Sequence, residues 1–131
     1  MNEFDLAKDS YLSAIYYNTN FKDAYNNLAC LHLQLDELEE AYENAFIAYN
    51  IDPEDAFILD TLGNIYMQKE EYEEALVYYL ESIKINSYDV DVLEHLALCY
   101  KLLNQFDNME TVLTRIKDLG EKAFNACHKE L

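Results

Sequence analysis

Few residues of this chain have the type and spacing that metal binding requires. His95 and Cys99 are four residues apart, so on a helix both side chains would lie on one face. Cys30 could add a ligand, but a zinc site takes three or four ligands in a tetrahedral arrangement. Cys127 and His128 are adjacent and would point to different helix faces. We therefore predict no metal site and no cofactor.

Catalytic chemistry has equally little support in the sequence. Nucleophilic catalysis needs a nucleophile with an adjacent base, and no such Ser, His and Asp arrangement can be recognised. His32 lies in an apolar, helix-periodic segment and is expected to be a packed, hydrogen-bonded core residue. The 26 acidic residues make carboxylate pairs so common that finding one indicates nothing. We predict that the chain is not an enzyme.

The elements that would position any site are predicted to be helices. The chain has 131 residues, 51% of them hydrophobic and 27% charged, which fits one compact unit or one short array. It has only 2 glycines and 1 proline. Hairpins and phosphate-binding loops depend on residues with positive φ, so this composition argues against a β-rich domain and against a nucleotide-binding loop.

The net charge of −17, from 26 acidic and 9 basic residues, repels nucleic acid and anionic lipid surfaces. We therefore expect no nucleic acid and no membrane among the partners. No lysine or arginine lies between Lys22 and Lys69, so a basic partner would be attracted to the first half of the chain. The alternative is that the acidic surface only keeps the chain soluble.

A reducing compartment is the expected setting. Residues 1–5 show neither the basic nor the apolar region of an export signal, and the longest apolar run, at 75–80, is too short to span a bilayer. Cys30, Cys99 and Cys127 are an odd number without the spacing of a disulfide framework. We therefore predict a cytoplasmic protein.

An internal repeat of 34 residues organises the chain. Shifting the sequence by 34 residues keeps apolar and small positions in register, which chance does not maintain over this length. Within a copy, apolar residues recur at three- and four-residue steps in two stretches, which predicts two amphipathic helices. The columns in register are Tyr25, Leu59 and Leu93; Leu28, Leu62 and Leu96; Ala29, Gly63 and Ala97; His32, Tyr66 and Tyr100; Ala7, Ala41 and Ala75; Tyr11, Ala45 and Tyr79; and Ala14, Ala48 and Ser82.

Two features of the repeat predict local structure. The acidic runs at 36–40 and 70–74 fall where the second helices should start, and carboxylates there oppose the positive end of the helix dipole. Small residues at Ala29, Gly63 and Ala97 let paired helices approach closely. Because the other two copies have alanine in this column, we expect Gly63 to tolerate alanine but not leucine.

The repeated residues resemble the tetratricopeptide repeat (TPR) pattern over nearly the whole chain. The two copies that match it are Leu59-x2-Leu62-Gly63-x2-Tyr66-x8-Ala75-x3-Tyr79-x2-Ser82 and Tyr25-x2-Leu28-Ala29-x2-His32-x8-Ala41-x3-Ala45-x2-Ala48-x4-Pro53. The resemblance implies an all-α fold, namely an α-solenoid of helix-turn-helix repeats with flanking helices. It also implies a scaffold or protein-protein interaction module without catalytic activity.

In this frame the chain divides into a starting helix, three repeats and a cap. Residues 2–18 are predicted to be a lone second helix, followed by repeats at 22–55, 56–89 and 90–119. The predicted capping helix covers 121–130, separated from the third repeat by Gly120. The third repeat departs from the pattern in its second helix, where Met109, Leu113 and Ile116 replace small or aromatic residues, so this helix pair is expected to pack differently.

The resemblance further implies a peptide-binding groove, because in the family the first helices of successive repeats line a concave surface. The corresponding positions are Asp23, Asn26, Cys30, Leu33 and Gln34; Phe57, Asp60, Asn64, Met67 and Gln68; and Asp91, Glu94, Leu98, Lys101 and Leu102. Asn26 and Asn64 could hydrogen-bond the backbone of an extended peptide, and Phe57 and Met67 are the expected apolar anchors.

The charges in this groove predict the kind of partner. Clamping a chaperone's C-terminal carboxylate, a known use of such grooves, needs clustered lysine and arginine, and only Lys101 is available. An acidic lining repels such tails, so we expect a partner with basic and apolar residues.

Two other functions stay open at this stage. The lone starting helix has Leu6, Tyr11, Leu12 and Ile15 with no preceding helix to cover them, which favours a homodimer formed through this helix. The resemblance is also compatible with a chaperone for one specific cargo protein.

Overall fold

The computed structural model describes the backbone of residues 2–128 and the side chains of residues 2–122. Over that range the chain is all-α, without strands, as predicted. The helices are α1 (Glu3–Tyr17), α2 (Lys22–Gln34), α3 (Leu38–Ile51), α4 (Ala56–Gln68), α5 (Tyr72–Ile85), α6 (Val90–Leu102) and α7 (Phe106–His128).

The helices stack as consecutive antiparallel pairs, α2 with α3, α4 with α5, and α6 with α7. The first helices of neighbouring pairs also approach each other, since α2 contacts α4 and α4 contacts α6. The backbones of α3 and α5 do not come within 8 Å Cα to Cα of each other in the described chain. Because the first helices are the closer layer, the array curves with α2, α4 and α6 on its inner side.

The turn inside each pair has the same backbone conformation. Asp36, Glu70 and Asn104 are the residues with positive φ, at 58°, 61° and 60°. The next amide closes the turn by donating to a carbonyl near the end of the first helix, as Glu71 does to Tyr66 at 2.9 Å. None of the three residues is glycine, so each turn holds a side chain in the left-handed region that disfavours it.

Capping and dipole effects define where the helices begin. The Asp55 carboxylate accepts hydrogen bonds from the amides of Phe57 and Ile58 at the start of α4, and Asp89 caps α6 in the same manner. The acidic runs lie where the sequence placed them, with two glutamates in the first turn of α3 and two in that of α5.

The core lies between the paired helices, where small residues allow close approach. Ala29, Ala41 and Ala75 are fully buried. Gly63 faces the ring of Tyr79, whose exposed fraction is 1%. A Cβ on Gly63 would lie 2.5 Å from Tyr79 Cε1 and 2.7 Å from Cδ1, so the expectation that Gly63 tolerates alanine is wrong.

The predicted helix break at Gly120 is also wrong, because α7 continues through this residue to His128. Gly120 has no positive φ, and nothing lies within 4 Å of the place where its Cβ would be. A single glycine lowers helix propensity by only about 1 kcal/mol, which does not by itself end a helix. The side chains of the predicted cap at 121–130 fall outside the described residues after 122.

The first and last helices differ from the interior ones in burial. No residue of α1 is buried; Tyr11 and Ile15 are half-buried, while Leu6 and Leu12 are exposed. In α7 the described buried residue is Val112, with Met109 and Ile116 packed partly buried around it. The third pair thus uses larger side chains in place of the small columns of the first two.

Candidate functional site

The inner surface has a solvent-open pocket of about 520 Å³ between α2 and α4. We call it the α2/α4 pocket; six of its lining residues are polar or acidic, and Phe57 and Cys30 add apolar surface. The residues that line it are Asp23, Asn26, Asn27, Cys30, Phe57, Asp60, Thr61 and Asn64. Six of these eight are groove positions that the family resemblance implies, namely Asp23, Asn26, Cys30, Phe57, Asp60 and Asn64.

The junction between α4 and α6 is closed by a hydrogen bond that sequence reasoning missed. His95 Nδ1 lies 2.9 Å from Asp60 Oδ1. This bond to the carboxylate is the main reason why the pKa of His95 is raised above its usual value, and burial opposes the rise. Asp60 is therefore not an unpaired groove acid, because one of its oxygens is used to join two repeats.

Tyr79 extends this polar link beneath the groove. Its hydroxyl donates to Asn64 Oδ1 at 2.5 Å, and its ring centroid lies 5.7 Å from that of His95. Burial raises the pKa of the Tyr79 hydroxyl, so the group remains a donor. The Asn64 oxygen thus already accepts one hydrogen bond inside the protein, so its NH₂ group and one remaining lone pair are left to contact a peptide.

The equivalent positions between α2 and α4 lack such a link. Asn26 occupies the repeat position of Asp60, and Thr61 occupies that of His95. The Thr61 hydroxyl donates to the Phe57 carbonyl at 2.9 Å and lies 3.5 Å from Cys30 Sγ. Asn26 Oδ1 is buried, yet it has no hydrogen-bond partner among the described residues.

The other predicted groove residues divide into exposed and packed side chains. Phe57 is 69% exposed, which suits an apolar anchor. Leu33 and Met67 instead pack against the two core clusters, so Met67 fills space between repeats and we no longer assign it as an anchor. The exposed polar positions are Asp23, Gln34, Gln68, Asp91, Glu94 and Lys101.

A second pocket of about 380 Å³ lies at the end of the array, between α6 and α7. We call it the α6/α7 pocket; Ala97, Leu98, Met109 and Leu113 form its apolar wall, and Glu94 and Lys101 complete the lining. Leu98 is 48% exposed. This pocket offers an apolar subsite, whereas the α2/α4 pocket combines polar and apolar surface and contains two acids.

Lys22 precedes the pocket residue Asp23 but does not line the pocket and instead forms two ion pairs. Lys22 Nζ lies 2.6 Å from Asp52 and 3.0 Å from Asp55, which join α2 to the loop before α4. Hydrogen bonds to both carboxylates raise the pKa of Lys22, so it remains a cation. No lysine or arginine is among the residues that line the α2/α4 pocket, so Asp23 and the second carboxylate oxygen of Asp60 have no basic partner in that lining.

The residues considered for metal binding have other partners. Cys99 Sγ donates to the Tyr72 carbonyl at 3.1 Å, and burial raises the pKa of Cys99 to about 11. His32 is buried as predicted, but its Nδ1 has no hydrogen bond, contrary to expectation, and lies 3.7 Å from Glu37. Across the described part of the chain, no three potential ligands group together. Cys127 and His128 lie outside the described side chains.

Comparison with known proteins agrees with this architecture. Tetratricopeptide repeat profiles match residues 22–54 and 61–89, which correspond to the first two helix pairs. The chain belongs to the tetratricopeptide repeat family.

Two curated relatives contain related repeats. A 72-residue segment is 33% identical to a tetratricopeptide repeat protein 30 homolog of Caenorhabditis briggsae, covering 50% of this chain and 11% of the relative. A 117-residue segment is 24% identical to Hsp70-Hsp90 organizing protein 1 of Glycine max, covering 89% of this chain and 20% of the relative. The chain therefore spans only a small part of the length of each of these relatives.

Solved structures share the fold. A MamA crystal structure superimposes with a TM-score of 0.79 at 20% identity, covering 93% of this chain and 67% of MamA. YrrB, described as a TPR protein with an unusual peptide-binding site, superimposes with a TM-score of 0.80 at 26% identity, covering 87% of this chain and 59% of YrrB.

Among the residues that the structure describes, no TPR helix is both long and apolar enough to cross a bilayer.

Proposed function

We propose that this TPR array binds an extended peptide segment, rich in basic and apolar residues, along its inner surface. The observation that supports this most directly is the pairing of two unlike pockets on the first-helix face. The α2/α4 pocket has two acids and no base, whereas the α6/α7 pocket is mainly apolar. A segment that presents a cation to the first pocket and an aliphatic side chain to the second would match both.

The spacing of the pockets limits the length of such a segment. Packed helices are about 8–10 Å apart, so two pockets separated by one and a half to two such intervals lie roughly 12–20 Å apart. An extended chain spans about 3.3–3.6 Å per residue, so the basic and apolar side chains should be about four to six residues apart.

Charge reversal on the groove tests this function. Asp23→Lys with Glu94→Lys should weaken binding of basic-apolar peptides at least about tenfold, because favourable charges on the pocket walls become repulsive. Both residues are exposed and neither holds a junction together, unlike Asp60. The measurement is fluorescence anisotropy with a library of labelled peptides in which a basic and an apolar residue are four to six positions apart.

The matched control is Glu39→Lys with Glu73→Lys, which changes net charge equally on the first turns of α3 and α5. Loss of binding in both double variants would mean that the overall field, and not the groove, attracts the peptide. High salt should slow association but leave the apolar contribution, because the Debye length is about 3 Å at 1 M.

Self-association is a second candidate, favoured by the exposed apolar side chains of α1. Leu6 and Leu12 are exposed together with Tyr16 and Tyr17, whereas Tyr11 and Ile15 are half-buried. We propose a homodimer through this face only as the alternative, because α1 also has the acids Glu3, Asp5 and Asp9 against Lys8. Sedimentation velocity at micromolar concentration distinguishes dimer from monomer.

A role as a chaperone for one cargo protein would use the groove on the inner surface and not the α1 face.

A further inference from the structure

The two junctions between first helices solve the same packing problem with different residues. At α4/α6, the acceptor Asp60 receives a hydrogen bond from the residue 35 positions later, His95. At α2/α4, the residue 35 positions after Asn26 is Thr61, whose hydroxyl donates within its own helix to Phe57. Asn26 Oδ1 is therefore a buried acceptor that no donor of the described residues reaches. Buried polar atoms of this kind are rare in folded proteins because leaving them unpaired is costly.

The α2/α4 junction, which lacks this donor, also has smaller side chains than the α4/α6 junction. Threonine is much shorter than histidine, and Ala45 stands at the repeat position that Tyr79 occupies in the next pair. The α2/α4 pocket, of about 520 Å³, lies beside this acceptor and has Asn26 and Thr61 in its lining. At the second junction, the imidazole of His95 bonds Asp60 and its ring lies near that of Tyr79. The chain thus shows, one repeat later, which kind of group satisfies this position: a planar ring with N–H donors.

We propose that the α2/α4 pocket is a subsite for one arginine side chain of the bound partner. The guanidinium would donate to Asn26 Oδ1 and to the carboxylates of Asp23 and Asp60, with the exposed ring of Phe57 against its face. This inference rests on the proposed function in one respect: a bound peptide must supply the arginine. The pocket and its hydrogen-bond acceptors are features of this chain and do not depend on that function.

Arginine fits this lining better than lysine or a neutral side chain. A guanidinium has five N–H donors in one plane, enough for acceptors on separate walls, whereas an ammonium is a compact and strongly hydrated charge. The planar group can also stack on an aromatic ring and bond a carboxylate through two nitrogens. The lining includes one exposed ring and two carboxylates. His95 bonds Oδ1 of Asp60, so the second oxygen of that carboxylate is the one that would accept from an arginine.

The test uses a probe that needs no peptide. N-acetyl-arginine-N-methylamide is titrated into the ¹⁵N-labelled full chain at low salt, with the citrulline analogue as the uncharged control of the same shape. We expect amide shifts on α2 and α4, and an affinity for arginine about tenfold or more above that for citrulline, which equals about 1.4 kcal/mol. Equal affinity for the two probes, or shifts distributed over the whole surface, would overturn the subsite.

Two variants sharpen the test. Thr61→His places the imidazole of the second junction into the first, so it should occupy the pocket and reduce arginine affinity about tenfold or more, the factor that equals 1.4 kcal/mol. Asn26→Asp keeps the size of the side chain and adds a negative charge to the acceptor, so it should raise arginine affinity several-fold. Asn26→Asp remains informative if Thr61→His, at a buried position, fails to fold. Unchanged arginine affinity in the folded variants would contradict the proposal.

The outcomes separate the subsite from the wider function. If library peptides bind in the groove but show no preference for arginine over citrulline, the peptide-binding function stands and the subsite is wrong. If the arginine probe binds the α2/α4 pocket and no basic-apolar peptide does, the subsite stands and the proposed function is wrong.

Discussion

The first and second junctions of this array start from the same 34-residue frame and end with opposite properties. At the second junction, α4/α6, the ring of Tyr79 packs against Gly63, and Asp60 is hydrogen-bonded to His95. At the first junction, α2/α4, alanine occupies the repeat positions of both Gly63 and Tyr79, and the α2/α4 pocket is open to solvent. The difference shows that the same repeat frame can produce a closely packed junction and, one repeat earlier, an open one, which is the one that we propose for binding.

The largest expected effect tests the pairing of Gly63 with Tyr79. Tyr79→Ala should destabilise the array by about 3–5 kcal/mol, because it removes a fully buried ring and leaves Asn64 without its donor. Gly63→Ala alone should cost about 1–3 kcal/mol, since its Cβ would overlap that ring. In the Tyr79→Ala background the same change should be neutral or stabilising by up to about 1 kcal/mol, because alanine favours a helix.

Urea unfolding of the two single variants and the double variant measures this coupling. The control is Ala29→Gly in the first repeat, where alanine stands at the position of Tyr79 and the loss should be about 1–2 kcal/mol, from helix propensity and one buried methyl group. Additive effects of Gly63→Ala and Tyr79→Ala would show that the two junctions do not differ in the way described.

The frame predicted the helix pairs well because the apolar period fixes which faces must be buried. The repeat frame gave a wrong prediction where the role of a residue depends on the side chain that packs against it. Gly63 looked interchangeable with Ala29 and Ala97 because they share a column, but the ring of Tyr79 makes the glycine necessary. The sequence contains a signal for this difference. The copy with Gly63 has Tyr79 at the opposing repeat position, whereas the copy with Ala29 has Ala45 there.

The candidate site shows the same limit. The groove positions are implied by the family resemblance, and six of them line the α2/α4 pocket, whereas Leu33 and Met67 pack against the core. The resemblance could not show that Asp60 is bonded to His95, since the two are 35 residues apart and meet only when the repeats stack. Gly120 was read as a break from its residue type, but helix continuity depends on backbone conformation, and its φ is not positive.

A smaller effect is expected in the turns, which do not differ between repeats. Glu70→Gly should stabilise the array by about 0.5–1 kcal/mol, because glycine adopts positive φ without steric strain. Asp36→Gly and Asn104→Gly should gain less, since aspartate and asparagine tolerate this conformation. Thermal unfolding measures the three variants, with Glu74→Gly inside α5 as the control that should destabilise by about 1 kcal/mol. A gain at Asp36 as large as that at Glu70 would show that the repeats differ in their turns as well.

The smallest effect concerns pH and the second junction alone. The hydrogen bond to Asp60 raises the pKa of His95 above its ordinary 6.5, with further support from Asp91 and Glu94 on its own helix, while Tyr79 lies beside the ring. A folded pKa above the unfolded value means that the stabilisation is fully present below pH 6.5 and is lost as pH rises through the folded pKa. His95→Gln should remove this dependence.

Stability of the wild type relative to His95→Gln should therefore be greater at pH 5.5 than at pH 8.5, by less than about 1 kcal/mol because the imidazole is partly exposed to solvent. Arginine binding should change in the opposite direction. Protonated His95 compensates the charge of Asp60, so the arginine probe should bind the wild type more weakly at pH 5.5, whereas its affinity for His95→Gln should vary much less. Unfolding and probe titrations on the same samples measure both slopes. If binding and stability fall together on acidification, the histidine is not the group that links the two junctions.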